Sequence, residues 1–283
     1  MNGASDLNLA AAVHAAGAMP SLMIKWKTGS RKDFDYDLLN HNLQEFVRLT
    51  GNGHCVLQLD YADLRDPTVI KLIEQYQISH VELFGLMQYP TGQQQKEFEL
   101  VMRVYQEHFN RLRKTARVIT RIFAPSSGKG IDCYALKGSD SAGCTGSLTV
   151  KDLFLQQHAL TPNLPLIPYG GVGTPAQVSW YLDHGAAGVA VGTLFAASKE
   201  SCLDHKTKQA MVDATSNTLV NLSTNQQALV MGTVSDDSNH QESLDAGIQG
   251  QGGLIYAGTS LDHVANICSV QDIVDYLISD IKK

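Results

Sequence analysis

The sequence is short of several things, and each shortage removes a class of function. No run approaches the ~20 consecutive apolar residues that a membrane-spanning helix needs, and the start, Met1-Asn-Gly-Ala-Ser, lacks the basic and apolar regions of a secretory signal. Clusters of Lys and Arg are missing too: 22 basic against 28 acidic residues give a net charge of −6, the wrong sign for a nucleic-acid surface. The five cysteines, Cys55, Cys133, Cys144, Cys202 and Cys268, are odd in number and contain no C-x-x-C pair. That disfavours a disulfide framework and a zinc site, and it fits a reducing cytoplasm. Neither an internal repeat nor a low-complexity linker is visible. These absences lead us to expect a soluble cytoplasmic protein without a metal site, acting on a small molecule, with no nucleic-acid or membrane partner and with a homodimer as a compatible assembly.

What is present is enough apolar material for one large core: 283 residues, 43% of them hydrophobic. Strand and helix patterns alternate. Pro20–Ile24, Cys55–Leu59, Ser79–Phe84, Ala116–Phe123, Ile131–Lys137, Pro165–Tyr169 and Ala187–Val191 read as strands. Between them lie helical patterns at 38–47, Pro67–Tyr76, Phe98–Leu112, from Thr149 onward, and Pro175–His184, with a last helix at Val270–Ile281. Alternation of this kind implies parallel strands with helical crossovers, and one unit of roughly 250 residues is a (β/α)8 TIM-type barrel. The fold expected is therefore α/β, one domain over 1–283. Two irregularities qualify it. The first recognisable element is a helix capped by Ser5 or Asp6, where a barrel would place a strand; either that strand lies upstream of Met1 or the barrel is abbreviated at its N-terminal strand. Only Ala124–Gly130 separates two strands, less than the ~10 to 12 residues a parallel crossover usually takes. The polar segment 206–253 reads as helices and a long loop over the barrel mouth, a candidate lid or insertion.

Four glycine-bearing turns follow strands: Gly138 to Gly146, Gly170 to Gly173, Gly192-Thr193, and Gly250 to Gly258. A barrel places all of them on the C-terminal rim of its strands, where ligands bind. Tyr169-Gly-Gly-Val-Gly173 and Val191-Gly-Thr193 end consecutive strands just before helix starts; exposed N–H groups there, without Cβ atoms in the way, suit a phosphate, and the Thr193 hydroxyl adds a donor. Tight turns alone would equally explain any single one of these glycines.

These runs resemble the nitronate monooxygenase (2-nitropropane dioxygenase) family, which includes the flavin-dependent enoyl-acyl-carrier-protein reductases. The likeness is carried by Pro165-Leu-Ile-Pro-Tyr-Gly-Gly-Val-Gly173, His184 to Glu200, the opening Met1 to Gly17, Lys137-Gly-Ser-Asp-Ser-Ala-Gly-Cys-Thr-Gly146 and Tyr256-Ala-Gly-Thr259, in the family's order. The resemblance implies FMN, its phosphate on the backbones of Gly170, Gly171, Gly192 and Thr193. Gly138, Ser139 and Gly143 would approach the ribityl chain or ring, with Tyr256 and Gly258 in the late flavin-facing segment. Met1 and Gly3 would lie by the ring through their backbones, and Gln58 would touch the flavin through its amide. Lys137 would neutralise charge developing near the flavin. The activity implied is FMN-dependent oxidation of alkyl nitronates with molecular oxygen. The alternatives are reduction of an enoyl thioester with NAD(P)H, or a flavin-binding or cofactor-free barrel without turnover.

The sequence departs from the family at the centre of the chemistry. Cys144 stands where the family usually has its histidine, and Thr259 where glutamine is common. A thiol serves as a base only where cations lower its pKa. Cys144, in the place of that histidine, and Lys137 are the candidate catalytic residues; with no cationic partner offered by the adjoining sequence, the alternative for Cys144 is a small packing residue.

Overall fold

The structure, a computed structural model, describes residues 6–23, 35–84, 100, 103–126, 132–222, 226–232 and 240–281. Its opening half alternates as the sequence implies: α1 (Leu7–Ala15), β1 (Ser21–Met23), α2 (Tyr36–Thr50), β2 (Val56–Asp60), α3 (Pro67–Gln75), β3 (His80–Phe84), α4 (Gln106–Leu112) and β4 (Arg117–Ile122). Asp6, Asp35 and Asp66 cap the first three helices by accepting hydrogen bonds from the N–H groups of Leu9, Leu38 and Thr68. Gly51, at φ 79°, ends α2 in the left-handed conformation a glycine reaches without cost. The Phe98–Leu112 helix of the sequence reading is helical here at Leu100, at 103–104 and over α4, with a turn at Tyr105; the remainder of that span lies outside the described residues.

The second half adds β5 (Cys133–Lys137), the short β6 (Gly143–Cys144), α5 (Val150–Leu160), β7 (Leu166–Tyr169), α6 (Pro175–Asp183) and α7 (Thr193–Ala196). Strands β1-β2-β3-β4-β5-β7 form one six-stranded sheet, and every pairing in it is parallel. The expected strand Ala187–Val191 is reduced to a single parallel bridge, Tyr169 to Ala190, because only Ala187 and Ala190 donate to the neighbouring strand, at 2.9 Å each. This is an abbreviated α/β barrel. Its helical layer continues past the sheet's two ends: Leu9 of α1 packs with Val270 and Val274 of α10 (Val270–Leu277), joined by Phe195 of α7.

The sheet has two faces, as period-two strands must. Leu57, Leu59, Val81, Leu83 and Val118 point outward into a core with Leu39, Leu43, Phe46, Ile73 and Phe109 of the helices. Val56, Ile119, Cys133, Ala135, Ile167 and Tyr169 point inward. On that same inner face the register lines up Gln58 with Glu82 and Arg121 with Ala135, and it sets Lys137 beside Tyr169.

The short link between β4 and β5 carries no described helix, yet the two strands are parallel neighbours. Phe123 to Asp132 is long enough to run back along a strand of this length, at roughly 3.3 Å per residue. The described start of the link is held by a side chain: Gln157 of α5, fully buried, accepts from the Ser126 N–H at 2.8 Å and donates to the Ser126 carbonyl at 2.8 Å. At the far end of the link the Asp132 carboxylate accepts from the Val118 N–H and pairs with Arg113.

Segment 206–253 differs from its reading as helices and a long loop. After α8 (His205–Asp213), strands β8 (Leu219–Leu222) and β9 (Gln226–Met231), helix α9 (His240–Ile248) and β10 (Gly253–Tyr256) build an antiparallel sheet in which β9 pairs with β8, β10 and β6. Met211, Leu229, Leu244 and Leu254 are buried there. The alternation that marks these strands is masked in the sequence by their Asn and Gln.

Gln157 gives this description a test. Gln157→Ala removes a fully buried amide together with its hydrogen bonds to the half-buried Ser126 N–H and carbonyl, and should cost about 1 to 3 kcal/mol in urea unfolding, since each net hydrogen bond contributes ~0.5 to 1.5 kcal/mol. The exposed neighbour Gln156→Ala should change stability by less than about 0.5 kcal/mol. Equal effects of the two substitutions would contradict the clamp.

Candidate active site

The inner face of the barrel closes around an ion pair. Glu82, 1% exposed, receives Arg121 at 2.5 Å through both Nε and Nη2. Burial works against the guanidinium, and the Glu82 carboxylate more than offsets it, holding Arg121 charged. Gln58 spends both amide hydrogens nearby, one on Glu82 Oε2 at 2.9 Å and one on the Tyr169 hydroxyl at 3.0 Å. Arg121 lies between two rings, 5.2 Å from the centroid of Phe84 and 5.6 Å from that of Tyr169. Desolvation by burial, with Glu82 close by, pushes the Tyr169 hydroxyl well up, so it stays protonated.

Lys137 ends β5 at the mouth of this interior and donates to the Ala142 carbonyl at 2.8 Å. Burial, and then the charge of Arg121, lower its pKa to about 8. Cys144 follows on β6, its sulfur 3.6 Å from the Gln226 amide nitrogen of the paired β9, while Gln226 Oε1 accepts from Tyr256 at 2.9 Å. Cys144 is coupled electrostatically to both Arg121 and Lys137. The fold thus brings cations to the thiol that the adjoining sequence does not offer.

The glycine turns converge beside this group. A Cβ on Gly170 or Gly171 would overlap Ser141 or Asp140, one on Gly258 would overlap the Asp140 backbone, and one on Gly138 the start of α5. Close nesting of loops therefore explains these glycines by itself, and it also sets four turns against one another. Gly170 and Gly171 carry φ of 114° and 69°, which suits glycine alone. Ser141 Oγ donates to the Tyr169 carbonyl at 2.5 Å, and the Thr259 N–H donates to the Asp140 carbonyl at 3.0 Å. Asp140 itself is occupied, accepting from Ser139 Oγ and the Val150 N–H. Thr193, 2% exposed, accepts from the Gly258 N–H at 3.1 Å, which leaves its own hydroxyl proton to give. Among the described residues the N–H groups of Gly171, Gly192 and Thr193 donate to no backbone carbonyl outside the regular elements.

Of the residues singled out from the sequence, Gln58, Lys137, Gly143, Cys144 and Tyr256 fall around the barrel interior; Gly143 packs on the Tyr256 ring. Gly138, Ser139, Gly170, Gly171, Gly192, Thr193 and Gly258 form the glycine rim. Met1 and Gly3 lie outside the described residues. Glu82, Arg121 and the Tyr169 side chain were missed. The signal was available: Glu82 and Arg121 are charges at inward positions of otherwise apolar strands, where an unpaired charge would be prohibitive.

A barrel with polar chemistry on its inner face and glycine turns on one rim defines an enzyme of the small-molecule-binding α/β barrel class. The family model described as nitronate monooxygenase matches residues 112–280, more than half of the chain, and the chain belongs to that family, which places it among flavin-type oxidoreductases. Solved structures agree on the fold. FabK from Thermotoga maritima superposes with a TM-score of 0.75 at 20% identity, covering 99% of this chain and 89% of its own. A point mutant of the same FabK gives 0.74 at 19%, with the same coverage. Nitroalkane oxidase from Streptomyces ansochromogenes gives 0.72 at 18% identity, covering 99% of this chain and 93% of its own. No curated protein matches the chain significantly. No helix among the described residues is long and apolar enough to cross a membrane.

The ion pair supplies a prediction. Glu82→Leu or Arg121→Met alone leaves one buried charge unmatched and should destabilise by about 3 to 5 kcal/mol, whereas the double variant, burying neither charge, should cost less than either single one. Additive losses in urea unfolding would show that the two side chains do not act as a pair.

Proposed function

We propose that the rim holds flavin mononucleotide and that the protein oxidises alkyl nitronates with molecular oxygen. The observation that carries this reading is the convergence of the four glycine turns, with three N–H groups and the Thr193 hydroxyl left for an anion. The fit is chemical as well as steric: the donors are backbone amides and a hydroxyl, which a phosphate accepts from strongly. Gly170, Gly171, Gly192 and Thr193 would hold that phosphate. Gly138, Ser139, Gly143, Tyr256 and Gly258 would line the remainder, with Met1 and Gly3 completing it.

A flavin bound there would supply the redox chemistry between the nitronate and molecular oxygen. The chain's own work is positional. Gln58 is fixed by Glu82 and Tyr169, so its amide cannot swing, and Glu82 on β3 and Arg121 on β4 neutralise each other across the two strands, which keeps the interior polar. A nitronate arrives already deprotonated, so its oxidation needs no base from the protein. Cys144, held against Gln226, is then a packing group.

Three measurements bear on this. Gly192→Asp adds a Cβ and a negative charge where the phosphate would sit, at a φ of −122° that any residue adopts. It should lower FMN affinity at least a hundredfold with little change in thermal stability; undiminished flavin content would refute the assigned phosphate site. Cys144→Ala should slow nitronate turnover less than tenfold, because general-base assistance, worth ~10² to 10⁴-fold, is not being lost. A hundredfold loss with flavin content unchanged would make the thiol catalytic. Anaerobic mixing separates the activities: bleaching by nitronate supports the proposal, bleaching by NAD(P)H but not nitronate replaces it with enoyl-thioester reduction, and bleaching by neither leaves a barrel without turnover.

A further inference from the structure

At the end of the barrel opposite the glycine rim, α2 passes into β2 through Gly51-Asn52-Gly53. Asparagine before glycine is a chemically labile pair, because a glycine nitrogen has no side chain beside it to keep it from the asparagine side-chain carbon. Packing explains why the glycine is there. Its carbonyl accepts from the Cys55 N–H at 2.9 Å and the Ser79 N–H at 3.0 Å, and a Cβ at this position would overlap the backbone carbonyls of Tyr76 and Gln77. Position 53 therefore admits glycine alone, and the exposed Asn52 in front of it has a neighbour that cannot shield it. Asn2-Gly3, the other such pair in the sequence, lies outside the described residues.

The surroundings of Asn52 favour attack on its side chain. Oδ1 accepts from the His54 N–H at 2.8 Å and from His14 Nε2 at 3.2 Å; an amide oxygen has no proton to give, so Nε2 carries one. Nδ2 is held only by a 3.5 Å contact with the Thr50 carbonyl. Among the described residues the Gly53 N–H donates to no backbone carbonyl. Attack by the Gly53 nitrogen on Asn52 Cγ moves negative charge onto Oδ1, where the two donors already point.

We infer that Asn52 is a self-modification site, converted to aspartate and isoaspartate by its own backbone, with His14 as a donor to the transient oxyanion. A solvent base takes the Gly53 N–H proton, the nitrogen bonds to Asn52 Cγ, and the charge passes to Oδ1. The Cγ–Nδ2 bond then breaks and ammonia leaves, closing a succinimide. Water adds to either ring carbonyl, one opening giving aspartate and the other isoaspartate. No electrons are transferred: one water is taken up and one ammonia released. The two products differ in effect. A carboxylate at 52 keeps its contacts with the His54 N–H and with His14, which reaches it from α1 while lying edge-on to Phe46 of α2 at 6.2 Å. Isoaspartate lengthens the backbone by one carbon beside a glycine wedged against Tyr76 and Gln77, and so displaces the entry to β2.

Incubation of the purified protein at mildly alkaline pH, followed by peptide mass mapping and enzymatic methylation of isoaspartate, tests this, with the urea-unfolded chain as reference. The peptide holding Asn52 should gain the mass difference between an amide and an acid, divide between the two products, and convert within tenfold of the rate in the unfolded chain. His14→Ala should slow the native reaction about threefold or more, the rate equivalent of one net hydrogen bond to the oxyanion, and leave the unfolded chain's rate unchanged. His14→Leu, which fills the space beside Phe46 without offering a donor, takes its place if His14→Ala does not fold. An Asn52 that stays intact in the native protein while the unfolded chain converts overturns the site; native rates equal in the wild type and the His14 variant overturn the role of His14. The site lies away from the rim, so flavin content and Asn52 conversion are read separately.

Discussion

The interior of this barrel depends on one contact, the Glu82–Arg121 ion pair. Two charges on adjacent strands of a sheet are tolerable inside a protein only when each satisfies the other, and here a carboxylate buried to 1% exposure meets a guanidinium at 2.5 Å. The pair then organises its surroundings. Glu82 takes one hydrogen of Gln58, Gln58 gives its second to Tyr169, and Tyr169 and Phe84 face the two sides of Arg121. Side chains from β2, β3, β4 and β7 are linked in this way across a barrel whose last strand is little more than a bridge. Such a network supplies the fixed polar surface that a site on an incomplete sheet would otherwise lack.

The shortened architecture is sustained by substitutions of the same kind. At the two described ends of the link between β4 and β5, Gln157 and Asp132 satisfy the backbone groups of Ser126 and Val118. Where the parallel sheet runs out, α1 and α10 meet through Leu9, Val270 and Val274. Polar side chains repair local defects, and an apolar helix contact spans the large one. Energy in a domain is a small difference between large terms, so each repair matters out of proportion to its size.

Much of this was legible in the residues. The alternation of apolar strands with capped helices led directly to a parallel α/β barrel, and Asp66-Pro67 and Thr174-Pro175 marked helix starts because a cap followed by proline has few other uses. The glycine rim was legible as well, since its turns follow strand ends. Other features were hidden for physical reasons. The Ala187–Val191 run is apolar and strand-like, but pairing depends on a neighbour that sequence does not display, and only Ala190 bridges. Strands β8 and β9 carry Asn221, Gln226 and Gln227 among their apolar residues and lie in a polar stretch of sequence, so they read as loop. Glu82 and Arg121 lie 39 positions apart, and only the register of adjacent strands reveals that they are partners. The surroundings of Cys144 were hidden likewise: the cations that reach it come from β4 and β5, not from its own turn.

The glycine rim and the polar interior adjoin one another, and the proposed flavin would draw on both. That claim is open to one direct measurement, the visible spectrum of the purified protein followed through a titration of the flavin-free form with FMN. The account predicts the visible absorption of a protein-bound oxidised flavin, together with saturable binding at one FMN per chain. A colourless protein that does not bind added FMN would contradict it.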